Sequence, residues 1–311
     1  MLTDAFTAVL HQLILMARDP LIYLAINEES AGFNADEVLA IRIAKAYAYL
    51  NVYKLDEALE LAIKNRQQLA EMQLSDCATL NLNVIINIYA KLGDIPAMKS
   101  YIEEAANLIS KDSPSELALM IDCARLNSGH GNPAAAREAL DTIAAAIDKV
   151  EHPYCRVSVL RCLAIAHSQN RRHDLALTYF SAAYDVASQN QISIQTLDIA
   201  IEMILVCAHL KKFEMAERFY NVAGGLIDQL RLPVYRVGLY FNYGILRTIQ
   251  EDFRASVLFY QQSLKALSEI PVKLPHTKFK IYNNLANTLN YLNEAEQALR
   301  YQLEAEKTDC R

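Results

Sequence analysis

Tyr89-Ala-Lys-Leu-Gly-Asp-Ile-Pro-Ala-Met98 reads as the end of one helix, a tight polar turn and the start of a second helix. The same arrangement returns at His209-Leu-Lys-Lys-Phe-Glu-Met-Ala216, Ile249-Gln-Glu-Asp-Phe-Arg-Ala-Ser256 and Leu292-Asn-Glu-Ala-Glu-Gln-Ala298. Three further copies surround Leu55-Asp-Glu-Ala58, Gly131-Asn-Pro-Ala-Ala-Ala136 and His173-Asp-Leu-Ala176. A pattern that recurs at a fixed period of tens of residues is the mark of a repeat architecture, in which each copy is one supersecondary unit.

The period can be read from the residue that packs early in each second helix. These residues are Ala58, Met98, Ala136, Ala176, Ala216, Ser256 and Ala298, spaced by 40, 38, 40, 40, 40 and 42. Seven residues beyond them stand Ala105, Ala183, Ala223, Ser263 and Ala305, with Asn65 and Ile143 breaking the run. Twelve residues before them stand Ala46, Ile86, Ala124, Ala164, Ile204, Gly244 and Ala286. Small residues in register on two helices let their backbones approach closely, and that packing requirement fixes the spacing.

This helix–turn–helix pattern resembles the tetratricopeptide repeat, over about residues 35–308. It is a degenerate match. The bulky residue that usually opens the first helix is mostly missing, and the unit is nearer 40 residues than the roughly 34 typical of the family. The longer unit is similar to that of adaptor proteins and bacterial peptide-sensing regulators. The resemblance implies an all-α fold, an α-solenoid of about seven helix–turn–helix units stacked in a right-handed superhelix. Residues 1–34, broken near Asp19-Pro20, are expected to form capping helices, and residues 35–311 the solenoid. An end unit needs a cap because each repeat buries its apolar face only against a neighbour.

Composition agrees. Hydrophobic residues make up 53% and charged residues 21%, while Gly and Pro number only eight each, too few to punctuate many short strands. Prolines fall where first helices should begin, at Pro114, Pro153 and Pro233, Ser113-Pro114-Ser115-Glu116 carries a capping box, and Pro271 and Pro275 bracket the longest inter-repeat loop, around Lys273. A net charge of −6 without a basic run argues against phosphate-neutralising nucleic-acid binding. No apolar stretch reaches the roughly 18 residues of a membrane span, and the first twenty residues lack the charged start and cleavage site of a secretory leader. The chain reads as cytoplasmic. Cys77, Cys123, Cys155, Cys162, Cys207 and Cys310 have no CxxC spacing and are expected to be buried free thiols. Phosphate-loop, zinc-protease and serine-hydrolase motifs are absent, and the seven histidines are dispersed. No cofactor, metal or catalytic residue is called for.

What the resemblance implies about binding is more specific. In such a stack the first helix of each unit lines the concave surface. Matching each unit to the family pattern places Asn83, Asn87, Lys91, Arg125, Ser158, Arg161, Asp198, Glu202, Asn242, Lys280, Asn283, Asn287 and Asn290 there. Asparagine is a poor helix-interior residue, so something should compensate for it. Its amide can hold both N–H and C=O of an extended peptide, as inner-helix asparagines do in the peptide-sensing relatives. The alternative is that these amides are solvated or bridge adjacent units. The first helices of the last four units also carry Arg156, Arg161, Arg236, Arg247, Lys278 and Lys280 against only Asp198 and Glu202, a wall that would attract an acidic segment. Otherwise those cations pair with acids on second helices. The Lys and Asn set of the chaperone-binding carboxylate clamp is not intact. Most of the seventeen tyrosines, including Tyr89, Tyr220 and Tyr260, occupy packing positions, while Tyr240 and Tyr291 can reach the groove. The expected function is a non-catalytic adaptor or scaffold that captures a protein or peptide segment. The alternative is the sensing module of a bacterial-type regulator, whose output domain would lie beyond Arg311 or on another chain.

Overall fold

The computed structural model of the chain describes residues 4–28, 32–108, 141–145 and 147–308. Among these every regular element is a helix. Two helices come first, α1 (Asp4–Arg18) and α2 (Pro20–Leu24). Paired helices follow: α3 (Ala35–Asn51) with α4 (Leu55–Glu71), α5 (Ser75–Leu92) with α6 (Ile95–Leu108), and α7 (Pro153–Gln169) with α8 (His173–Gln189). The later pairs are α9 (Ser193–His209) with α10 (Phe213–Leu230), α11 (Arg236–Ile249) with α12 (Phe253–Ser268), and α13 (Pro275–Tyr291) with α14 (Ala295–Thr308). They are units one, two, four, five, six and seven of the repeat. Most of the third unit, with Ala136, Arg125 and the helix start at Ser113, lies outside the described residues. The helices form two compact parts, one running to Thr196 and the other from Leu197, with the division inside α9.

All three columns of small residues are buried wherever they are described. The exceptions to smallness have physical accounts. Ser256 and Ser263 donate their hydroxyls to the backbone carbonyls of Gly244 (3.0 Å) and Val237 (2.8 Å) on the facing helix. A buried hydroxyl is thus satisfied where alanine stands in other units. Asn65 sits in the same column, and its amide donates to Asn81 Oδ1 at 3.2 Å, while Asn81 donates to the carbonyl of Ala62 at 2.7 Å. At Gly244 the close approach is extreme, since a Cβ there would lie 2.6 Å from Cε1 of the fully buried Tyr260 ring.

The turns inside the units obey one rule. Five residues before each described anchor the backbone is left-handed: Tyr53, Gly93, Arg171, Lys211, Glu251 and Asn293 all have φ between 55° and 78°. The next N–H then bonds back five residues, as in Lys212 to the carbonyl of Cys207 (2.8 Å) and Asp252 to that of Arg247 (2.9 Å). This is the Schellman closure of a helix end, which satisfies carbonyls that the helix itself leaves open. Among the described residues glycine fills the position only once, at Gly93.

First helices start at the expected prolines where these are described: Pro153 opens α7 and Pro233 opens a 3-10 turn leading into α11, while Pro275, expected at the edge of a loop, opens α13. The break at Asp19 is also present. Its carboxylate accepts from the N–H groups of Leu21 (3.0 Å) and Ile22 (3.1 Å), starting α2 in a new direction.

Candidate functional site

The second unit knits its asparagines into the fold. Tyr47 of α3 donates its hydroxyl to Leu80 O and Asn83 Oδ1, both at 2.9 Å, and Asn87 Nδ2 donates to the Asn83 carbonyl at 2.7 Å and to its side chain at 3.0 Å. Lys91 lies over the Tyr53 ring, 4.1 Å from its centroid. All three are half-buried on α5: Asn83 ties it to α3, Asn87 bonds within α5, and Lys91 reaches the turn after α3. On α7, Ser158 donates to the Tyr154 carbonyl and accepts from Gln195 Nε2, each at 3.0 Å, with Arg161 half-buried one turn on. Asn242 of α11 is buried, and its amide donates to the Ile201 carbonyl of α9 at 2.9 Å.

The seventh unit is different. Lys280, Asn283, Asn287 and Asn290 stand three or four apart on α13, so they form one stripe. Lys280, Asn287 and Asn290 are exposed and Asn283 is half-buried. Among the described residues none of the four side chains has an intramolecular hydrogen bond, whereas the neighbouring Asn284 donates to the Lys280 carbonyl at 2.9 Å and accepts from Tyr260 at 3.5 Å. Tyr291, at the end of the same helix, is 65% exposed and stacks on Phe253, with centroids 4.8 Å apart.

Half of the expected basic wall is neutralised from behind. Arg156 pairs with Asp148 (3.8 Å), Arg236 with Asp228 (2.7 Å) and Arg247 with Glu217 (2.9 Å), so these cations do not present a field of one sign. Glu217 and Asp228 both lie on the second helix α10. Around Arg247 the pairing is a network, because Glu217 also accepts from Tyr243 (2.5 Å) and Gln250 accepts from Arg247 (2.9 Å). Burial, and then the bond to Glu217, push the Tyr243 phenol up to about 12. Lys278 lies near the Tyr282 ring, 5.4 Å from its centroid.

No family model matches the chain, and no curated protein does. Solved structures do match. A Rap protein complexed with Competence and Sporulation Factor is 13% identical, with a TM-score of 0.68 over 88% of this chain and 77% of that one. Aspartyl phosphate phosphatase F from Bacillus subtilis is 14% identical, with a TM-score of 0.59 over 100% of this chain and 85% of that one. The apo form of the quorum sensor NprR from B. thuringiensis is 14% identical, with a TM-score of 0.56 over 88% and 77%. The fold is an all-α array of helical repeats like that of these proteins. At such identities the likeness establishes architecture alone.

α13 is the first helix of its pair, and the stripe from Lys280 to Asn290 lies along its more exposed face. One feature of this repeat array was not singled out from sequence. A cleft of about 310 Å³ lies between α10 and α11, lined by Tyr220, Gly224, Gly225, Arg236, Leu239 and Tyr240 among others. The signal for it was the pair of glycines inside a helix. A Cβ at either would meet nothing within 4 Å, so internal packing does not require them. Among the described residues no cluster of His, Cys, Asp and Glu could hold a metal ion, and no helix is long and apolar enough to cross a membrane. Cys77, Cys162 and Cys207 are buried and Cys155 is half-buried, all four free. Burial pushes the Cys77 and Cys155 thiols up to about 12 and that of Cys207 to about 11, away from nucleophilic chemistry.

Proposed function

We propose that this protein is a non-catalytic adaptor that holds a polypeptide segment against its first helices, with the α13 stripe as the principal seat. The observation that supports this most is the set of three asparagines on one face whose amides have no intramolecular hydrogen bond among the described residues. A helix-interior asparagine costs stability, and its amide presents one acceptor and two donors. An extended backbone laid along the stripe would use both kinds, whatever its side chains. Lys280 at the same face favours a segment that carries an acidic residue or a terminal carboxylate there. Arg161 is a second anchor for a carboxylate, in the first compact part of the chain.

A sensor reading has its own support: two of the proteins with similar folds are described as a quorum sensor and as a complex with Competence and Sporulation Factor. In that case the bound segment is a signal, and an output module elsewhere responds to it. Both readings require the same seat.

Panning a displayed library of random 8–12-residue peptides against the intact protein tests it. Selected peptides should bind the Asn283→Ala/Asn287→Ala protein at least about tenfold more weakly, equivalent to about 1.4 kcal/mol. Equal binding by the two proteins would move the seat away from α13. An Arg161→Glu variant should lose acidic peptides while keeping its helicity, and unaltered affinity would remove Arg161 from the contact set.

A further inference from the structure

Within the first compact part, α1 packs on α3 and also reaches α5 and α7, which are the first helices of units one, two and four. Its buried face is Phe6, Val9, Leu10, Leu13 and Met16, with apolar residues recurring three or four apart. Ile14 and Leu15, off that face, are half-buried as well, so the helix is covered on more than one side. A helix that only capped the end of the stack would touch the first unit alone. Contact with units two and four requires α1 to lie along the wall formed by the first helices.

Its attachment is also informative. Lys45 of α3, a buried lysine, bonds to the Ile26 carbonyl and to Glu28, and Arg42 approaches Glu28 at 3.8 Å. That latch fixes the segment after α2 to the first unit. Between the latch and α1 the helix is interrupted at Asp19, whose backbone is extended (φ −155°, ψ 98°). Only one side-chain bond is described between α1 and α2, from Tyr23 to Gln12 at 2.8 Å. So α1 can leave the wall by turning about Asp19 while the latch stays closed.

We propose that α1 is an occupant in cis of the wall formed by the first helices of units one, two and four, and that this wall takes an amphipathic helix with the spacing of α1 as its ligand in trans. The proposal rests on the first helices being the binding wall. It adds that in this part the ligand is helical and the site is self-occupied. That fits the second unit, where the Asn83 and Asn87 amides are already bonded within the fold.

Two measurements test it. In hydrogen exchange of the intact protein, α1 amides should exchange roughly 100-fold faster than those of α5, because displacement opens below the global unfolding energy. A Val9→Asp/Leu13→Asp protein, whose α1 cannot rest on the wall, should bind a labelled synthetic peptide of residues 4–18 saturably, and the unaltered protein should not. α1 exchanging in the slowest class with α3 and α5 would overturn the proposal, including the case in which the double variant fails to fold. So would a folded variant that does not take the peptide. Asn283→Ala/Asn287→Ala should leave both results unchanged, so failure here is separable from failure of the α13 seat.

Discussion

At Gly244 a methyl group would sit 2.6 Å from Cε1 and 2.7 Å from Cδ1 of Tyr260, a ring with no room to retreat. Gly244→Ala should therefore destabilise by about 1–3 kcal/mol, read from urea unfolding, as overpacked cores do. Left-handed turns predict the opposite sign. Lys211 holds φ 55° at a position where a side chain strains the backbone, so Lys211→Gly should stabilise by up to about 1 kcal/mol. The Asn65–Asn81 pair should be non-additive in a double-mutant cycle. Asn81→Ala removes a second donor from the Ala62 carbonyl and leaves the buried Asn65 amide without its acceptor, at a cost of about 1–3 kcal/mol, and Asn65→Ala costs less. Asparagines show at this scale where the sequence stops being legible. Their spacing placed them on first helices, but whether an amide is free depends on partners such as the Ile201 carbonyl, 41 residues from Asn242. Nothing near Asn242 in the chain marks that bond.

Among the elements, the helix pairs and their buried columns were readable because packing of small residues imposes a period on the sequence itself. The turns were less so. Glycine would have announced the left-handed position, but Tyr53, Arg171, Lys211, Glu251 and Asn293 occupy it, held there by the Schellman bonds. Part of the charged wall is paired off for a similar reason, since Arg236 and Arg247 find their acids on α10, a helix outside the face being summed. In α10 itself, Gly224→Ala and Gly225→Ala each meet open space and should stabilise the helix by about 1 kcal/mol, measured as a rise in unfolding free energy. The latch between α2 and α3 gives a pH prediction. Burial would raise the Glu28 carboxyl, but the bond from Lys45, a backbone N–H and the charges of Lys45 and Arg42 together hold it below its ordinary 4.5. A carboxyl with a depressed folded-state pKa stabilises above its ordinary value, and that contribution fades as pH falls through the lowered one. Glu28→Gln should remove on the order of 1–3 kcal/mol at neutral pH and flatten this acid-side loss.

For the whole molecule, two compact parts carry one kind of repeat and differ in how their first helices are used. In the part ending at Thr196, α1 lies on the first helices and the asparagine amides are bonded internally. In the part beginning at Leu197, α13 presents Lys280, Asn283, Asn287 and Asn290 with no internal hydrogen bonds among the described residues. The fold was legible from its repeat, and the distinction between the parts was not, because it depends on which amides find carbonyls across helices. The central claim is that a peptide seats on α13. Hydrogen exchange of the intact protein with and without a panned peptide tests this most directly. The account predicts protection concentrated in Pro275–Tyr291, with the second helices α10, α12 and α14 unchanged. Protection confined to those second helices, with α13 exchanging as before, would contradict it.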